Sequence, residues 1–110
     1  MAISEMNYTG AGESGGYFGD FTPNTNTFTE IDLGFAPKHV VFYTVFSTDS
    51  QTMVFHIDVT SGKIYRSYGA YTEYELTSTY ENYMYVSGTK VYYKAFSAPA
   101  LTNKTYIIAS

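Results

Sequence analysis

The sequence predicts an all-β fold: a single antiparallel β-sandwich of about seven to eight short strands. Three observations carry that prediction. No dozen-residue segment keeps apolar residues at i, i+3, i+4 and i+7, whereas several alternate strictly between apolar and polar. The 13 Tyr and 8 Phe supply the whole 19% aromatic content, with no Trp, and they sit among many Thr and Ser. Such residues suit a half-buried pleated surface. Turn signals recur at intervals of roughly eight to twelve residues, a spacing that favours two packed sheets over a closed barrel.

The opening, Tyr8 to Asn26, holds Gly10, Gly12, Gly15, Gly16 and Gly19 with Pro23 and two Asn. That density of punctuation predicts a Gly-rich, loop-rich region with irregular edge strand, and a short strand is expected near Ile3 to Thr9. Next, Thr29, Ile31 and Leu33 share one face of a strand that stops at Gly34, and Pro37 marks the following corner. Lys38 to Phe46 reads KHVVFYTVF, apolar on both faces, which predicts a central strand covered on two sides.

Thr48 to Gln51 is a turn signal, after which Met53, Phe55, Ile57 and Val59 alternate with Val54, His56 and Asp58, the first set facing inward. Ser61-Gly62 separates this strand from Ile64 to Tyr68 at hairpin distance, since glycine takes the positive φ a tight turn requires. Ser87-Gly88 repeats the device between Met84-Tyr85-Val86 and Val91 to Phe96. Between the hairpins, Tyr71 to Tyr83 reads as a long connection with one strand around Tyr74 to Leu76. Ala98 to Asn103 is a turn, and Thr105 to Ala109 a closing strand.

The 110 residues fit one domain spanning 1–110, with no internal repeat or linker, and a chain of this size buries roughly two thirds of its unfolded surface without staples. The absence of cysteine removes a disulfide framework, a Cys-based zinc site and thiol catalysis. A net charge of −4 argues against nucleic acid as a partner, which would need a basic stripe, and against anionic membrane surfaces. The start, Met1-Ala2-Ile3-Ser4-Glu5-Met6, lacks the pattern of a secretory signal. No apolar run is long enough to span a bilayer.

Candidate chemistry is sparse. His39 reads as a boundary residue at the start of a strand. His56 and Asp58 lie two apart on one strand face and could form a base with its orienter or a weak metal pair, but no third ligand is visible, so no metal or cofactor is expected. The plainer reading is a solvated pair. Glu73 and Glu75 share a face as glycosidase carboxylates would, and equally as two acids keeping an edge soluble. Gly10, Gly12, Gly15 and Gly16 do not make a phosphate-binding loop, because no βαβ context surrounds them. The sequence therefore predicts a protein that is not an enzyme.

The tyrosines say more. Nine fall between Tyr65 and Tyr93, more than one small core can bury with every hydroxyl satisfied. Tyr65, Tyr68, Tyr71, Tyr74, Tyr83, Tyr85 and Tyr92 are the candidate interaction surface, since Tyr offers large contact area at low entropic cost. The competing reading is that cross-strand aromatic pairs only stabilise a thin sandwich.

Ile31-Asp32-Leu33-Gly34-Phe35-Ala36-Pro37-Lys38-His39-Val40 resembles an I-x-L-G-F-x-P-K-x-V signature of small β-rich domains in tailed-bacteriophage virion proteins. Tyr8-Thr9-Gly10-Ala11-Gly12 upstream is similar to a Y-x-G-x-G opening of those domains, and Leu101-Thr102-Asn103 with Tyr106 to Ala109 to their close. Ala11, and the stretch from Gly15 to Asp20, depart from the pattern. The signature residues Ile31, Leu33, Gly34, Phe35, Pro37 and Lys38 read as fold residues: two strand anchors, a bend, a core plug and a stiff corner. The resemblance implies a virion component, in tail fibre, receptor-binding tip or head surface. With no room for a shaft, the expectation is a decoration or auxiliary protein on the virion exterior, chiefly the capsid head, bound to other virion proteins and built as a symmetric oligomer such as a homotrimer. The alternative is a carbohydrate- or host-receptor-binding module of a tail fibre or tail tip.

Overall fold

The computed structural model describes residues 16–45, 52–68, 73–95 and 104–110, with the main chain alone at Val45, Thr52 and Tyr68. In chain order the elements are β1 (Tyr17–Phe21), β2 (Thr29–Asp32), β3 (His39–Val45), β4 (Thr52–Asp58) and β5 (Lys63–Tyr68). They continue with β6 (Tyr74–Glu75), a single helical turn α1 (Thr77–Tyr80), β7 (Met84–Ser87), β8 (Lys90–Tyr93) and β9 (Thr105–Ala109). A six-stranded sheet runs β1-β9-β3-β4-β5-β6 and a three-stranded sheet β2-β8-β7, every pair antiparallel. The expected all-β sandwich is therefore the observed architecture, with nine strands among the described residues.

The core lies between the two sheets and follows from alternation. Val40 and Phe42 of β3, Met53, Phe55 and Ile57 of β4, Ile64 of β5 and Ile107 and Ala109 of β9 are buried on the large sheet. Met84, Val91 and Tyr93 answer them from the small one. Phe42 and Tyr93 meet across the sandwich with ring centroids 4.6 Å apart, and Phe21 closes on Tyr93 edge-on at 5.5 Å. A Thr44 to Thr105 hydroxyl bond of 2.8 Å is buried in the same layer. It satisfies polar groups on two adjacent strands that water cannot reach.

Both expected hairpins form. The β4–β5 turn runs from Val59 to Gly62, where Asp58 Oδ1 accepts the amides of Thr60 and Ser61 and Gly62 takes φ 77°. Four residues, rather than the Ser61-Gly62 pair alone, separate the strands, because Val59 leaves the ladder to bond Lys38. The β7–β8 turn is Gly88-Thr89, one residue later than read from the sequence.

Three expectations need correction. Of the region Tyr8 to Asn26, expected as turns and irregular edge strand, residues 8–15 lie outside the described residues, and the edge strand is regular: Tyr17–Phe21 pairs with β9 along five residues. Alternating Tyr17, Gly19 and Phe21 inward suffices for pairing despite the surrounding glycines. β3 lies inside the sheet but, among the described residues, is covered on one face only: Tyr43 is 38% exposed while Phe42 is fully buried. The connection before β7 contains, besides β6, the turn α1, which no sequence signal announced. TSTY is a poor helix former. The turn forms because Tyr80 reaches the core, its ring 4.8 Å from Phe55, and Thr77 Oγ1 accepts the Ile64 amide at 2.9 Å. The strand expected near Ile3 to Thr9 and the turns at Thr48 to Gln51 and Ala98 to Asn103 lie outside the described residues.

Candidate functional site

The residues that made β3 read as doubly buried build an exposed apolar sheet face. Strand pairing places Phe18, Ile108, Val41, His56, Tyr65 and Glu75 in one row across all six strands. A second row holds Asp20, Tyr106, Tyr43, Val54 and Ser67. Phe18 is 55% exposed and Ile108 46%. The Phe18 and Tyr106 rings stack at 6.2 Å with 9° between planes, and Tyr106 meets Tyr43 edge-on at 6.2 Å. Charges among the described residues stand at the border of this patch, at Asp20, Asp58, Lys63, Glu73 and Glu75, and none of those lies at its centre. An apolar centre inside a charged rim is the anatomy of a protein contact surface.

A second, smaller aromatic surface covers the outer side of the small sheet. Tyr85 and Tyr92 stack at 4.6 Å and 14°, and Phe28 packs edge-on to Tyr85 at 5.3 Å. The Lys94 ammonium lies 4.7 Å from the Phe28 centroid and 5.8 Å from that of Tyr83. Lys90 and Glu30 form an ion pair of 3.2 Å beside them, and the hydrogen bond to Glu30 raises the Lys90 ammonium above its ordinary value. Desolvation raises the Tyr92 phenol, and the Glu30 carboxylate adds to it.

The seven candidate tyrosines are thus dispersed. Tyr83, Tyr85 and Tyr92 gather on the small sheet, whereas Tyr65 lies on the opposite face, with the large-sheet patch. Tyr74 is exposed at the β6 edge. Tyr68 is described in its main chain only, paired with Met53, and Tyr71 lies outside the described residues. Sequence reasoning missed Phe18, Tyr43, Tyr106 and Ile108. The signal available was KHVVFYTVF itself, since apolar residues on both faces of a strand describe an exposed contact face as well as a second core.

The signature residues occupy fold positions. Leu33 and Pro37 are buried, Ile31 and Phe35 half-buried against the core. Gly34 has φ 84°, and Asp32 Oδ1 accepts both its amide and the Thr89 hydroxyl. Lys38 is exposed, and its amide donates to Ser110 at 2.8 Å, tying this corner to the end of β9.

The candidate ionisable pairs are reshuffled. Asp58 caps its turn, and His56 instead meets His39, with Nδ1 of His39 3.2 Å from Nε2 of His56. Glu73 Oε2 stands 3.8 Å from His56 Nδ1. Glu75 accepts the Thr77 amide at 2.9 Å, and hydrogen bonds from Thr77 hold its carboxyl below its ordinary value. Glu73 and Glu75 therefore serve different partners. Among the described residues no three His, Asp or Glu side chains converge as a metal site, and no helix is long and apolar enough to cross a membrane. Compared with known proteins, the chain matches no family model, no curated relative and no solved structure.

Proposed function

We propose that this chain is a non-enzymatic structural protein of a tailed-phage particle, a small decoration or auxiliary subunit on the virion exterior, with the capsid head as its first site. It works through protein–protein contacts made by the outer face of the six-stranded sheet. The single observation that carries this reading is that face: Phe18, Ile108 and Tyr43 lie exposed side by side with half-buried Tyr106 and Val41, and the charges stand at the border. The virion assignment rests on the signature from Ile31 to Val40. Such a subunit stabilises a shell by binding only its assembled form, a linkage effect that needs no chemistry.

The test is co-sedimentation of the purified chain with phage particles that lack it. Binding by the unsubstituted chain, lost in the folded double variant Phe18→Lys with Ile108→Lys, is the expected result. Absence of binding by the unsubstituted chain overturns the reading. A glycan- or receptor-binding module is the second reading, favoured by the exposed Phe28 and Tyr85 rings beside Glu30 and Lys90, since aromatic faces and a few polar groups suit a sugar ring. Retention on host surface polysaccharide that Tyr85→Ala abolishes would support it.

A further inference from the structure

We propose that His39 and His56 form a two-imidazole site for a borderline divalent transition ion of the zinc, nickel or copper class, with Glu73 as the group that orients His56. Pairing sets Val41 opposite His56 and His39 opposite Asp58, so the two histidines are diagonal neighbours on adjacent, hydrogen-bonded strands. Their rings lie 5.3 Å apart, tilted by 35°, on the solvent side of the sheet. Sheet pairing fixes both Cα positions, so little ordering is left for an ion to impose.

The separation is the informative quantity. Nitrogens that bind one tetrahedral ion at its usual bond length stand about 3.3 Å apart. His39 Nδ1 and His56 Nε2 are 3.2 Å apart, a distance that serves a shared proton or a shared metal ion. The tautomers follow from the surroundings. The Glu73 carboxylate faces His56 Nδ1 at 3.8 Å and favours the proton there, which leaves the Nε2 lone pair directed at His39. In the metal-free pair His39 Nδ1–H then donates to His56 Nε2. On ligation His39 transfers that proton to its Nε2 through water, the Nδ1 lone pair becomes available, and no net charge is lost. A carboxylate on the second nitrogen of a ligating histidine is the usual outer partner in such sites.

Asp58 does not join, because its Oδ1 is engaged by the Thr60 and Ser61 amides. With no third protein ligand among the described residues, water or donors from a second molecule complete the coordination, and affinity falls below that of closed four-ligand sites. The site is independent of the virion reading.

The chain contains only these two histidines and no cysteine, so imidazole NMR reports on the site without ambiguity. Titrating the full chain with zinc alone should move both ring signals together and saturate at one ion per chain. His39→Gln and His56→Gln should each weaken binding by at least about tenfold, and Glu73→Gln by up to about tenfold with both rings still responding. All three positions are solvent-accessible, and thermal unfolding checks that each variant folds. Ring signals that respond at different zinc concentrations, or an affinity unchanged in either histidine variant, would overturn the proposal and leave a shared proton as the whole of the contact.

Discussion

Tyr93 brings its phenol into the layer between the sheets, and burial pushes its ionisation up to about 12, with Thr44 acting in the opposite direction. Thr44, whose hydroxyl is bonded to Thr105, is the polar neighbour that acts on it, but no fully formed hydrogen bond to the Tyr93 hydroxyl stands among the described residues. A phenol that ionises later in the folded chain than in the unfolded one contributes stability that is fully present below about pH 10 and is lost as pH rises toward 12. Across that window unfolding should become easier by about 2–3 kcal/mol. Tyr93→Phe should remove most of this slope and cost less than about 1 kcal/mol at neutral pH, since the contact of the hydroxyl with Thr44 falls short of a formed hydrogen bond. Urea unfolding of both proteins at pH 8 and near pH 11.5 measures it, and an unchanged alkaline slope in the variant would contradict the assignment. Gly34 supplies the second prediction at this scale. Its φ of 84° is strained for any residue with a Cβ, although nothing lies within 4 Å of where that atom would sit. Gly34→Ala should therefore destabilise by about 1–2 kcal/mol through backbone strain alone.

Within β3, neighbouring aromatic residues have opposite duties. Phe42 is fully buried against Phe21 and Tyr93, while Tyr43 points to the exposed face beside Tyr106. Phe42→Ala should cost about 3–5 kcal/mol in thermal or denaturant unfolding, through lost burial and a cavity. Tyr43→Ser should cost less than about 1 kcal/mol and instead weaken attachment to particles. A large stability loss in Tyr43→Ser would show the outer face to be a structural surface rather than a contact one. Alternation made the pair of roles legible in KHVVFYTVF, but which side is covered depended on where the small sheet sits. The small sheet covers the Phe42 side, and among the described residues no second layer covers the other.

At the scale of the whole molecule, the chain has net charge −4, and the charges near the large-sheet patch stand at its border. Attachment through that patch should change little between about 0.05 and 0.5 M salt, because apolar burial is not screened as ion pairing is. Co-sedimentation across that range is the measurement, and a steep loss with salt would point to charged contacts instead. Two aromatic surfaces lie on opposite sides of the sandwich, one on each sheet. A subunit held by its large sheet would therefore leave Phe28, Tyr85 and Tyr92 facing outward.

The fold class, both hairpins and most core residues were determined by the sequence, because alternation and turn chemistry act within a few residues. Met53, Phe55 and Ile57 face inward as their spacing requires, and Gly62 turns the chain where it must. The tertiary structure alone decided the placement of β9 between β1 and β3, the helical turn that delivers Tyr80, and the meeting of His39 with His56. It also separated Tyr65 from Tyr83, Tyr85 and Tyr92. These are pairings between residues distant along the chain, and local pattern is silent on them. A strand's alternation names two faces, and only the sheet that packs on one of them decides which face remains for a partner.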